Sequence, residues 1–236
     1  MIPFYIITCD KTSSILKASS YLLNKYWKGY NFTVLGNNPV DLPENFTFVK
    51  IKNDDNPRHW TKDLYEFFKN TKDEYFILSL DDFFFNREAD NNKLDNLLSY
   101  TKDHKVGRIQ LIDFQEGYYE LLGISNESNT KLLRLKQDAI YRLSCQVSIR
   151  DRDYLLKYFN HNWTPWDLEL RGSKHAMNDG WEIIGSYSSV MGSNIEGALS
   201  SKWPGKVNIR GLKDEDLEYL LKENILKKED LFCYKP

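Results

Sequence analysis

The chain has 236 residues, 41% hydrophobic, 14% aromatic and 28% charged, globular values that exclude long disorder, collagen-like repeats and a fibrous chain. Lys plus Arg number 32 against 34 Asp plus Glu, a net charge of -2, so no overall positive field draws in a polyanion; charge gives nucleic acid no support, without excluding it. Apolar runs far shorter than the ~20 residues of a bilayer span, no signal pattern, and three scattered cysteines (Cys9, Cys145, Cys233) predict a cytoplasmic protein, with peripheral attachment to a membrane left open.

Pro3 to Cys9 is a continuous apolar and β-branched run, as a strand buried on both faces reads, and it stops at Cys9-Asp10-Lys11. Thr12 or Ser13 can cap the helix that follows, in which Ile15, Ala18, Leu22 and Tyr26 recur at helical spacing. Phe32 to Leu35 and Phe46 to Ile51 read as short strands, separated by the turn cluster Gly36-Asn37-Asn38-Pro39. Asn56-Pro57 announces a second helix, a cap followed by Pro at the first position, with Trp60, Leu64, Phe67 and Phe68 on one face. Tyr75 to Leu80 is then a buried strand ending abruptly in Asp81-Asp82.

Asp90 caps a helix carrying Leu94, Leu97 and Leu98, and Val106 to Leu111 is the next strand. Glu116 to Thr130 reads as a loop, Leu132 to Leu135 with Ala139 to Ser148 as a β-hairpin, and Thr164 to Lys174 as a short helix. A strand at Trp181 to Ser186, a Gly/Ser-rich loop through Gly205 and a helix from Asp214 to Lys222 complete the chain. Strand, helix, strand, strand, helix, strand is the order of βαβ units. It predicts an α/β fold, a mainly parallel Rossmann-like sheet flanked by helices, in one domain over residues 1–236. Ligands of such sheets gather beyond the carboxyl ends of the strands, where Asp10 and Asp81-Asp82 fall.

There is no Gly-rich dinucleotide fingerprint, phosphate loop, His-Glu-x-x-His or Gly-x-Ser-x-Gly. The main local signal is Ser79-Leu80-Asp81-Asp82-Phe83, two adjacent carboxylates after an apolar strand. Beside a phosphate-bearing ligand such a pair repels itself and the phosphates unless a divalent cation intervenes, and its oxygens suit Mg²⁺ or Mn²⁺. Solvated turn or capping carboxylates are the alternative; Phe83-Phe84-Phe85 favours an enclosed turn.

These features resemble the GT-A class of nucleotide-sugar-dependent glycosyltransferases, of the family 2 kind. The resemblance rests on Phe4-Tyr5-Ile6-Ile7-Thr8-Cys9-Asp10, Trp60-Thr61-Lys62-Asp63-Leu64, Phe76 to Phe83 and Thr164-Pro165-Trp166-Asp167-Leu168-Glu169. It implies a donor-binding half over about residues 1–115 and an acceptor-binding, catalytic half over about 116–236. It also implies that Thr8 and Asp10 hold the nucleoside, that Asp81 and Asp82 bind Mn²⁺ or Mg²⁺ and the donor diphosphate, and that Asp167 or Glu169 acts as base. The family's usual Asp-x-Asp would need an acid at Ser79 or Leu80, so Asp82 is the expected metal ligand. The donor is expected to be UDP-linked, the acceptor a glycan or other hydroxyl, as in polysaccharide biosynthesis, and the transfer inverting.

An inverting transfer needs a carboxylate to take the acceptor proton and cations to screen the departing diphosphate. Thr164, Pro165 and Asp167 also fit a capping box, which would account for Asp167 without chemistry. Arg58, Lys11, Lys202 and Lys206 are candidate phosphate contacts and Trp166 a candidate aromatic face for a sugar ring, while the resemblance implies Trp60 as a donor contact and Gln146 as an amide for the donor sugar. His175 is either an added metal ligand or structural. Two other readings stay open: nucleotidyl transfer onto a sugar phosphate, which wants a glycine that Cys9-Asp10-Lys11-Thr12 lacks, and a non-catalytic carbohydrate-binding scaffold.

Overall fold

The computed structural model describes residues 1–51, 56–112, 119–125, 130–193, 197–199 and 205–232. Alternation along the first strand, β1 (Phe4–Ile7), sends Phe4 and Ile6 into one apolar cluster and Tyr5 and Ile7 into another, so both of its faces are covered. β2 (Phe32–Gly36), β3 (Phe46–Lys50) and β4 (Tyr75–Leu80) extend it in parallel, with Phe4 registered against Phe32 and Ile77. The short β5 (Phe85–Arg87) leaves the sheet after the acidic turn. β6 (Val106–Gln110), β7 (Tyr119–Ser125), β8 (Thr130–Leu135), β9 (Ser148–Asp151) and β10 (Glu182–Ser186) complete a 9-stranded sheet of order β3-β2-β1-β4-β9-β6-β10-β8-β7. Only β9 and β8 run against the others, so the sheet is mainly parallel in direction, as the order of elements implied.

The helices divide between the two faces. α1 (Leu16–Tyr26) brings Leu22 and Leu23 to the cluster of Phe4 and Ile6, where α3 (Asn91–Ser99) adds Leu94 and Leu97. α2 (Trp60–Phe68) and α4 (Arg152–Phe159) supply Leu64, Phe68, Tyr154 and Leu155 to the cluster of Tyr5 and Ile7. Next, α5 (Pro165–Asp167), a π-helical turn (Leu168–Gly172) and α6 (Ser173–His175) form one continuous segment. β11 (Gly192–Ser193) pairs with β5, β12 (Val207–Asn208) pairs with β13 (Leu231–Phe232), and α7 (Asp214–Lys222) buries Leu220 in the first cluster. Among the described residues no helix is long and apolar enough to cross a membrane.

The expected hairpin is wrong in its partners. β8 pairs with β7, which lies in the stretch read as a loop, while the segment from Ala139 to Cys145 forms turns rather than a strand. A guanidinium explains the turns: Arg142, fully buried, donates to Asp179 at 2.9 Å and to the carbonyls of Ala176, Lys136 and Trp181. Pairing of β10 with β6 shifts register between Glu182 and Ile183, opposite Gly107. There the ring of Tyr154 packs so close that a Cβ would stand 2.5 Å from it, so only glycine fits.

Candidate active site

At the carboxyl end of β4 the two acids are held differently. Asp81 is 3% exposed. Its Oδ2 accepts the hydroxyls of Thr8 and Thr12, each at 2.5 Å, while its carbonyl accepts the Ser19 hydroxyl from α1. Thr12, one of the two expected helix caps, makes no cap bond; its hydroxyl serves Asp81 instead. Asp82 Oδ1 is buried and has no hydrogen-bond partner. Burial, then the negative charge of Asp81, push the Asp82 carboxyl up to about 7, against the pull of the Asp82 and Leu199 backbone N–H groups. Gly197, at φ +73, lies over this carboxylate so closely that a Cβ would stand 2.4 Å from Oδ2.

Asp10 is exposed at the end of β1, where its Oδ2 accepts the side-chain amides of Asn37 and Asn38, at 3.1 and 2.8 Å, from the turn after β2. Thr8, Asp10, Asp81 and Asp82 are thus grouped at one sheet edge. Arg58 and Lys11 are exposed, and the Arg58 backbone N–H donates to the Asn56 cap. Trp60 is a correction to the expected donor contact: it is 6% exposed in the apolar cluster under α2 and packs on Phe159 at 5.7 Å. Lys202 lies outside the described residues, and Lys206 donates to the Glu229 carbonyl.

The second half of the site is set by non-local bonds. The Thr61 hydroxyl on α2 donates to the His161 carbonyl and accepts the Trp163 N–H, which fixes the approach to α5. Thr164 and Asp167 then form the anticipated capping box. The Thr164 hydroxyl beside Asp167 holds that carboxyl below the usual range, and Arg171 stands 3.5 Å away. Trp166 is 64% exposed. His175 lies tilted against the stacked rings of His161 and Trp163.

Glu169 occupies the π turn, a widened geometry that recurs at functional positions. Its Oε1 accepts the Cys145 N–H at 2.6 Å and the Ser144 hydroxyl at 3.1 Å; among the described residues Oε2 accepts none. Glu169, Gln146, Ser144, Gln110, Tyr119 and Arg108 line a pocket of about 170 Å³. Of the two candidate bases, then, Glu169 faces a cavity and Asp167 closes a helix end. Thr164→Ala is accordingly expected to cost about 1 kcal/mol in chemical denaturation, and Asp167→Asn to leave turnover intact.

The pocket and the acidic pair share the sheet edge. Across β4, β9 and β6, Leu78, Ser148 and Gln110 are aligned, so Asp81 lies three residues beyond this row and Gln146 two. Burial, then the charge of Glu169, hold the Cys145 thiol well above its ordinary range, and Asp82 adds to the same push. Two arginines under the pocket are not among the residues singled out from the sequence. Arg108 and Arg150 are registered opposite each other on β6 and β9 and are 1% and 3% exposed. Burial pushes both guanidiniums down, Arg150 to about 9 with the charge of Arg108 as the next cause. A charged residue inside an apolar strand run was the available clue.

Among the described residues no group of three or more His, Cys, Asp and Glu side chains could hold a metal ion. Mg²⁺ usually binds through one or two carboxylates, with substrate phosphates and water completing its shell. The unpartnered Oδ1 of Asp82, beside an Asp81 already occupied by two hydroxyls, fits that mode.

No protein-family model matches the chain, and no curated protein matches it. Among solved structures it is similar to a CMP:2-keto-3-deoxy-manno-octonic acid synthetase complexed with CTP, at 13% identity and a TM-score of 0.44 over 78% of this chain and 88% of that one. It is also similar to S. aureus TarS 1-349, solved in complex with UDP as well, at 13% identity and a TM-score of 0.48 over 80% of this chain and 59% of that one. At this identity and these scores no chemistry transfers from either. Fold and site together define an α/β protein with an acidic strand end beside a polar, arginine-backed pocket.

Proposed function

We propose that the chain is a glycosyltransferase that uses a nucleoside-diphosphate sugar, UDP-linked in the first instance, with inversion. The observation that carries this reading is Asp82 Oδ1, a buried carboxylate oxygen without a partner at the carboxyl end of β4. Burying an unpaired carboxylate is costly, and a cation shared with a diphosphate would relieve that cost. Asp82 would hold Mn²⁺ or Mg²⁺, which when bound screens the diphosphate; Thr8, Thr12 and Ser19 fix Asp81 behind it. Asp10, with Asn37 and Asn38, offers polar groups to base or ribose.

Glu169 takes the proton of the acceptor hydroxyl as that oxygen bonds to the anomeric carbon. The bond from that carbon to the diphosphate oxygen breaks, and its electron pair leaves with the diphosphate. The Ser144 hydroxyl and Cys145 N–H fix Oε1 and leave Oε2 for the proton. Exposed Trp166 offers an acceptor ring a stacking face.

Calorimetry with UDP, with and without Mn²⁺, tests the reading; binding at least about tenfold tighter with the metal is expected, and Asp10→Ala should weaken it. Slow hydrolysis across a panel of nucleotide sugars would then name the donor. UDP binding indifferent to Mn²⁺, or sugar binding without any nucleotide binding, would favour a carbohydrate-binding scaffold instead.

A further inference from the structure

Three arginines are buried beneath the turn segment that follows β8, and among the described residues only one of them has an ion-pair partner. Arg142 has Asp179 at 2.9 Å. Arg108 Nε and Nη1 and Arg150 Nε are buried with no hydrogen-bond partner, and among the described residues neither side chain has a carboxylate within ion-pair distance. Arg108 uses Nη2 alone, toward Gln110 Oε1 and the Tyr141 carbonyl, both at 3.3 Å; Arg150 Nη2 donates to the Ser144 carbonyl. The charge of Glu169 acts on both of them. Without an ion-pair partner among the described residues, the two guanidiniums leave buried positive charge, and an uncompensated buried charge is strongly destabilising. Apolar packing would be the cheaper way to fill this face of the sheet.

Arg108, with two unpartnered donors in its guanidinium group, lines the pocket of Glu169. We infer that this pocket binds an oxyanion carried on a sugar, a carboxylate or a phosphate, with Arg108 as its counter-charge and Arg150 behind it. Gln110, Gln146 and Ser144 supply amide and hydroxyl partners for the hydroxyls of such a ring, and half-exposed Tyr141 and Ile140 form an aromatic and apolar rim. The planar guanidinium suits a two-pronged oxyanion better than a neutral hydroxyl. The inference deepens the proposed function by naming an anionic sugar as substrate, and it rests on that reading only for the pocket's place in a transfer reaction.

The test uses the full chain without nucleotide or metal, so that its outcome is separate from that of UDP binding. D-glucose, D-glucuronate and D-glucose 6-phosphate are titrated by calorimetry. Glucuronate or the 6-phosphate is expected to bind at least about tenfold tighter than glucose, and whichever is favoured distinguishes carboxylate from phosphate. In Arg108→Leu that preference should vanish, while the melting temperature of the ligand-free protein holds or rises because an unpaired buried charge is gone. Equal binding of the three sugars, binding of none, or an Arg108→Leu protein that is destabilised would overturn the inference. UDP binding that fails while glucuronate binds would leave it standing and remove only the donor reading.

Discussion

Asp82→Asn is expected to abolish metal-dependent UDP binding and, at the same time, to raise the melting temperature of the metal-free protein. The two effects share one cause. The folded protein holds the Asp82 proton up to about pH 7, whereas an unfolded carboxyl releases it near 3.8. Between those values the native state binds more protons than the unfolded state, so stability falls as pH rises across that window. Above it the ionised carboxylate handicaps the fold by on the order of 4 kcal/mol. An amide keeps the shape and can accept the same backbone N–H groups without the charge. Recovery of about 2 kcal/mol, roughly 4 to 8 °C, is expected at pH 8 with a chelator present. At pH 5, where Asp82 is already protonated, the gain should shrink. Calorimetry with UDP and Mn²⁺ supplies the other half, and a variant that binds as the parent does, or that melts lower at pH 8, would remove Asp82 from the metal site.

That division of labour between adjacent acids was only partly legible in the sequence. The runs Phe4 to Ile7 and Tyr75 to Leu80 announce strands because both faces are covered, and a strand so buried can end in acids only at the sheet edge. Asp10, Asp81 and Asp82 were therefore placed by local pattern. What each carboxylate touches was not: Asp81 is satisfied by Thr8 beside it and by Thr12 across a turn, and Thr12 alone reads as a helix cap. The arginine pair was invisible for a stronger reason. Arg108 and Arg150 come together only through the antiparallel pairing of β6 with β9, 42 residues apart in sequence, and no local period encodes that register. The segment from Ala139 to Cys145 misled because alternation can satisfy a strand or a series of turns around a buried guanidinium, and Arg142 decides for the turns. Trp60 misled in the opposite direction: one aromatic on a helix face suits a ligand or a core, and Phe159 on α4 settles it as core.

The largest loss of turnover is expected for Glu169→Gln, on the order of 10² to 10⁴, with UDP and Mn²⁺ binding unchanged. Both oxygens of Glu169 have assigned work. Oε1 is held by the Cys145 N–H and the Ser144 hydroxyl, which an amide oxygen can also accept, so the glutamine variant should fold and keep its side chain in place. What it loses is Oε2 as a proton acceptor, the one change that strikes a general base and spares a positioning residue. Ser144→Ala provides the contrast. It removes one of the two bonds that orient Oε1 and should lower turnover by a smaller factor. Asp167→Asn should behave like the parent, since its carboxylate is engaged by Thr164 and Arg171. Single-turnover measurement with the donor named by the hydrolysis panel separates chemistry from product release. Near-normal turnover in Glu169→Gln would mean that no base lies in this turn, and the inverting displacement would then give way to a retaining transfer or to binding without turnover.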